Sequence, residues 1–209
     1  MINNEDIHGF KYPTVSQIIN APENKGLIKW RKEVGDEVAD YIMKQGGQRG
    51  SDVHAMIQEY LTREPLLDGT HSNPKAEVSS VLAKGLFENM RVYLDMITSI
   101  FSVEKNLVSH ELKLRGRADC IAHWNGQNTI IDFKTGRGHI EKAPDTAMIQ
   151  CCAYALMFEE EYGYQCSQIL VIHATENGGC KAFLRRTNDY VKKLKNCIKI
   201  YNEIKEQKQ

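Results

Sequence analysis

The dipeptide Asn125-Gly126 separates two short apolar runs rich in β-branched residues, 117–124 and 129–134. Asn-Gly between two such runs is the strongest short-range signal for a tight β-hairpin. The hairpin returns the second run beside the first and brings Asp119 and Asp132 toward one spot. Lys134 follows Asp132 at the strand period of two, so it shares that residue's face. Two carboxylates at one point repel unless a cation lies between them. Hard oxygen ligands suit Mg²⁺ or Mn²⁺ better than zinc. With a lysine ammonium beside it, such a pair supplies what phosphodiester hydrolysis needs: an activated water and positive charge for the phosphate. Asp-x-Lys alone is common on solvated strand ends, so the rest of the chain has to support this reading.

Other residues converge on the hairpin. Gln150 and Tyr154 stand four apart on a helix expected over 143–162, one turn apart on one face. His54 follows Gly50-Ser51 at the expected start of a helix, where free amides and the helix dipole favour an anion. An imidazole on a metal already held by carboxylates tilts preference toward Mn²⁺. Glu111, on the strand before Asp119, is a candidate outer metal ligand.

The remaining pattern gives the architecture. The spacing predicts a helix over 26–44, interrupted by Gly46-Gly47, and a second helix over 52–62 capped by Ser51. Thr14 or Ser16 is the expected cap of a short early helix. A loop is expected over 65–74, and one or two helices over 75–100. From about 106 the period shifts toward two, with strands expected near 107–114, 117–124 and 129–134. After the helix over 143–162 come strands near 168–174 and 181–185 and a last helix over 190–205. The expected fold is therefore α/β: a helical N-terminal part, about 12–100, followed by a βββαββα core, about 106–205, in one domain of 209 residues.

The 27 Lys and Arg balance the 27 Asp and Glu. A zero net charge disfavours a DNA coat but not an enzyme with an acidic cleft and segregated bases, such as those after Lys181. The six cysteines contain no Cys-x-x-Cys pair and no zinc-finger spacing, so free thiols are expected. No apolar run approaches the ~20 residues of a membrane span. The first six residues, 1–6, are acidic and polar, unlike a secretory signal or transit peptide, which predicts a cytosol-like compartment.

Taken together, these motifs resemble the PD-(D/E)XK nuclease superfamily, in its RecB-like branch. The match rests on Gly50-Ser51 with His54, Gly116 with Asp119, Asp132-Phe133-Lys134, and Gln150 with Tyr154, in that order. The front of the chain, around residues 12–61, is similar to the mitochondrial-exonuclease family with its viral and bacterial relatives. The resemblance implies a restriction-endonuclease-like mixed sheet flanked by helices, with a helical N-terminal extension arching over the cleft. It implies that Asp119, Asp132 and the Phe133 carbonyl bind Mg²⁺ or Mn²⁺, that His54 joins the metal, and that Lys134 positions and helps deprotonate water. Gln150 and Tyr154 would hold Lys134 or the DNA strand. Trp30 and Arg31 on the early helices, with Arg49 and Ser51, would contact single-stranded DNA. The expected activity is a metal-dependent DNA exonuclease working with replication or recombination proteins in a bacterial or phage-infected cytoplasm. A flap or junction endonuclease and a non-catalytic DNA-binding module are the alternatives. Gln58 stands where the family carries Glu, and Glu59 follows it. Cysteine first occurs at Cys120, and only Cys180 and Cys197 lie late, so no iron–sulfur cluster is expected.

Overall fold

The computed structural model describes residues 11–63 and 80–207. The acidic start, the 65–74 loop, the beginning of the helix expected from residue 75, and the last two residues lie outside them. The elements run α1 (Val15–Ile19), α2 (Lys25–Val34), α3 (Asp36–Leu61), α4 (Val81–Leu94), β1 (Thr98–Ser109), β2 (Leu114–Trp124), β3 (Gln127–Gly136), α5 (Asp145–Tyr162), β4 (Gln168–Thr175), β5 (Cys180–Arg186) and α6 (Asn188–Glu206). The five strands form one mixed sheet in the order β1-β2-β3-β4-β5. The first three make an antiparallel meander, α5 carries the chain across to β4 parallel to β3, and β5 returns antiparallel. This is the mixed sheet between helices that the sequence predicts.

Local chemistry explains the element ends. Thr14 caps α1 through a capping box: its hydroxyl accepts from Gln17 N at 3.2 Å, and the Gln17 side chain accepts from Thr14 N at 2.8 Å. Asn24 and Ser80 cap α2 and α4 through their side-chain oxygens. Asn125 and Gly126 both take positive φ, 52° and 74°, as a type I′ hairpin requires.

Four expectations are corrected. The break in the early helices falls at Gly35, with φ 85°, and α3 runs unbroken through Gly46-Gly47. Glycine in helical φ/ψ only weakens a helix, by about 1 kcal/mol against Ala; glycine at positive φ ends one. Ser51 is therefore not a cap. Its hydroxyl donates back to the Gly47 carbonyl at 3.1 Å, and His54 lies mid-helix with no free helix N-terminus beside it. The helix expected to reach residue 100 stops at Leu94, and β1 begins at Thr98. The strand expected over 107–114 is the end of β1, a turn and the first residue of β2.

Both sheet faces are covered. One core cluster joins Leu107, Ile121, Ile130 and Val171 to α1, α5 and α6. The other joins Cys120, Ile131, Phe133 and Ile172 to α3 and α4. Helix α5 buries residues on every side, from Ala147 to Phe158. Helix α2 buries none. Among the described residues, no helix is long and apolar enough to cross a membrane. All six cysteines are free, with Cys180 half-buried and the others buried. Burial pushes the Cys152 and Cys166 thiols up to about 12.

Candidate active site

Strands β2 and β3 pair from Trp124↔Gln127 back to Cys120↔Ile131, and there the ladder stops. Beyond that point β3 continues beside β4, from Asp132↔Val171 onward, while β2 stays with β1. The two strands part, and a cleft of about 660 Å³ opens where they separate. On the far side of the cleft, α3 contributes Gly47, Gly50, Ser51 and His54; β1 and β2 contribute Glu104, Arg117 and Asp119. At the fork, the Asp119 carboxylate replaces the missing ladder partner: its Oδ2 accepts from Phe133 N at 2.9 Å.

Asp132 turns the other way, under α5, and is 1% exposed. Lys134 Nζ donates to its Oδ1 at 2.8 Å and lies 2.7 Å from Oδ2, which is left without a directed hydrogen bond. Burial, and then the charge of Asp119, raise the Asp132 carboxyl to about 7 against the pull of Lys134. Burial works against the Lys134 ammonium, but Asp132 and Asp119 outweigh it and hold the group above the ordinary lysine value. Gln150 Oε1 lies 3.4 Å from Lys134 Nζ, and Gln150 Nε2 reaches the Tyr154 hydroxyl at 3.5 Å. Gly116 is glycine for a spatial reason: a Cβ there would lie 2.7 Å from the Tyr154 ring.

The open side of the site is built around His54. Its Nε2 donates to the Phe133 carbonyl at 2.9 Å, which turns Nδ1 toward Glu104 and Asp119, each 3.7 Å away. Burial would lower this imidazole, but the hydrogen bond to Glu104 and the charges of Asp119, Asp132 and Glu104 raise it to about 9. Glu104 has φ 54° inside β1, and its other carboxylate oxygen holds Arg117 Nε at 2.8 Å. One ligand atom each from His54, Glu104 and Asp119 lies within 4.8 Å of the others, the one such group among the described residues.

The structure thus brings His54, Asp119, Asp132, Lys134, Gln150 and Tyr154 to one place, with Ser51 on the cleft wall. Other expected residues stand elsewhere. Glu111 is exposed in the β1–β2 turn, with its amide donating to Glu160, so the carboxylate on this strand pair that meets His54 is Glu104. The Phe133 carbonyl is taken by His54. Arg49 pairs with Glu176, which Arg137 also reaches at 3.3 Å. Arg31 is held by Asp36 at 3.0 Å and Asp40 at 2.7 Å, and neither it nor the half-buried Trp30 lines the cleft. Sequence reasoning missed Glu104, Arg115 and Arg117. The signal for the two arginines was their alternation with Asp119 along β2; Glu104 had none.

The mixed sheet forks around His54, Glu104, Asp119, Asp132 and the half-buried Lys134. Residues 27–189 match the PD-(D/E)XK nuclease superfamily, and the chain belongs to it. The chain is similar to mitochondrial genome maintenance exonuclease 1 of Mus musculus, at 24% identity, and of Homo sapiens, at 21%, each over 88% of this chain. It spans 60% and 59% of the length of those relatives. Among solved structures, a candidate exonuclease from Eubacterium rectale aligns with a TM-score of 0.49 at 11% identity, over 76% of this chain and 68% of that one.

Proposed function

We propose that the chain is a divalent-metal-dependent deoxyribonuclease acting on single strands or free DNA ends, in replication, recombination or repair. The observation that carries this is the pairing, in one cleft, of the His54–Glu104–Asp119 group with the Asp132–Lys134 ion pair beside it. The donors fit a divalent ion. Two carboxylates and an imidazole nitrogen face one another, and a buried carboxylate oxygen of Asp132 lacks a directed hydrogen bond. His54 Nδ1, Glu104 and Asp119 would hold the ion, with Asp132 at its border, and the imidazole favours Mn²⁺ alongside Mg²⁺. Such an ion supplies Lewis acidity toward phosphoryl oxygens and a more acidic water.

The chain's own groups do the rest. Lys134 stays an ammonium beside Asp132, so it steadies negative charge on the phosphate and does not take a proton from water. Gln150 and Tyr154 keep the lysine side chain in place from α5. His54 ties α3 to β3 through the Phe133 carbonyl, which fixes the cleft wall against the scissile side. The names of the mouse and human relatives support exonuclease action.

The test uses purified protein with Mn²⁺ or Mg²⁺ on end-labelled linear and on closed circular single-stranded DNA. Nucleotide release from the linear strand alone is expected. Cutting of the circle would sink the exonuclease reading. Tight DNA binding without nucleotide release would sink catalysis.

A further inference from the structure

The cleft has a charge gradient that runs away from the proposed metal group. Arg115, Arg117 and Asp119 alternate along β2 on the side facing α3, and all three line the cleft. Asn106, the cross-strand partner of Arg117, lines it from β1. Moving from Asp119 toward the start of β2, the wall changes from acidic to basic and then to hydroxyl, where Thr14 and Ser16 join Arg115. Alternate residues on a strand are about 6.6 Å apart. That step is of the same order as the spacing of successive phosphates along an extended nucleic-acid strand.

The two arginines are held in place. Arg117 is anchored through Nε to Glu104 at 2.8 Å, and its side chain remains 53% exposed. Arg115 is anchored through Nε to the Tyr12 carbonyl at 2.8 Å, and its amide donates to the Pro13 carbonyl at 3.1 Å. Anchoring Arg117 at Nε leaves its planar terminal nitrogens to face the cleft, the fork that matches phosphate oxygens. Tyr154 fills the gap beneath them against Gly116, so the floor of this stretch is closed.

We propose that Arg117 grips a phosphate on one side of the scissile bond and opens a basic track that runs past Arg115 along β2. Asn106 stands beside the first step. The proposal rests on the nuclease reading for its substrate class. The phosphates next to the cut would then lie toward the start of β2, on the basic side of the carboxylates that the proposed ion neutralises.

The test measures binding of fluorescein-labelled oligothymidylates to the full chain in Ca²⁺ as salt is varied. Each phosphate contact on a single strand contributes about 0.7 to the slope of log affinity against log salt. Arg117→Gln is expected to bind several-fold more weakly and to lose about 0.7 of that slope. Its Mn²⁺ affinity by calorimetry is read separately and is expected to fall by about tenfold, because Glu104 loses the guanidinium that holds it. Asn106→Lys, an exposed position facing the cleft, is expected to add about the same slope. An unchanged slope in both variants overturns the track. A slope kept in Arg117→Gln with Mn²⁺ affinity lost also overturns it, since Arg117 would then serve Glu104 alone. Failure of the nuclease reading looks different: the slopes change as expected, but the parent releases no nucleotides in Mn²⁺.

Discussion

The two poles of the cleft solve opposite problems. At the Asp132–Lys134 pole the carboxylate is buried under α5 and is paired within the chain to a lysine that reaches the cleft. The His54–Glu104–Asp119 pole opens to the cleft and gathers two carboxylates around one imidazole nitrogen. The first is a fixed lysine–carboxylate pair; the second is where the proposed cation would sit. If so, variants at the two poles fail in different ways.

The largest effect is expected at the Asp132–Lys134 pole. Lys134→Ala leaves Asp132 buried without its cation, and removes the positive charge proposed to steady the phosphate. Loss of one such electrostatic group lowers kcat by about 10²–10³-fold. Calorimetry is expected to show Mn²⁺ uptake largely retained. Equal loss of Mn²⁺ uptake and turnover would erase the distinction between the poles.

The next effect belongs to the open pole. His54→Gln and Glu104→Gln are each expected to weaken Mn²⁺ binding by about 10–100-fold, the range for disturbed metal environments. Turnover at saturating Mn²⁺ is expected to suffer less than in Lys134→Ala. If Glu104→Gln bound Mn²⁺ like the parent while Glu111→Gln did not, the assignment of Glu104 over Glu111 would be reversed.

Acidity separates the poles again in the ion-free protein. Asp132 keeps its proton up to about pH 7 in the folded chain, against an ordinary value of 3.8. The folded state therefore binds the extra proton between those values, and stability falls as pH rises through that window. His54, raised from 6.5 to about 9, adds a second decline between those values. Thermal unfolding in chelator is expected to show both declines. Asp132→Asn is expected to remove the lower one and His54→Gln the upper one. A melting temperature that is flat from pH 5 to pH 9 would contradict both shifts.

The Asp132–Lys134 pole was legible in the sequence because its parts are local. Asn125-Gly126 fixed the hairpin, the period of two put Lys134 with Asp132, and the helical period put Gln150 with Tyr154. At the open pole His54 and Asp119 were legible too, but Glu104 was not, because its placement depends on a break in that periodicity. Val103 packs toward α3 and α4, yet the adjacent Glu104 meets His54 on the same side. Cys120 and Asp119 repeat the doubling on β2. The left-handed φ of Glu104 produces the first of these breaks, as a bulge re-aims a side chain. No alternation pattern predicts such a residue. Glycine misled in the same way. Gly35 and Gly46-Gly47 look alike in sequence, but only Gly35 takes positive φ.

Two glycines sharpen the contrast between a constrained region and a free one, with the smallest expected effects. Gly116→Ala would push a methyl group to 2.7 Å from the Tyr154 ring, beside the Asp132–Lys134 pole. Overpacking of this kind destabilises by about 1–3 kcal/mol, and displaced Tyr154 would loosen Gln150 and Lys134, so turnover should fall with stability. Gly85 sits exposed in α4, far from the cleft lining, and a Cβ there meets nothing within 4 Å. Gly85→Ala is therefore expected to stabilise by up to about 1 kcal/mol through helix propensity alone, with turnover unchanged. Denaturant unfolding of the two variants reads both signs. A gain at Gly116 would mean that Tyr154 is not seated against β2, and the network behind Lys134 would lose its anchor.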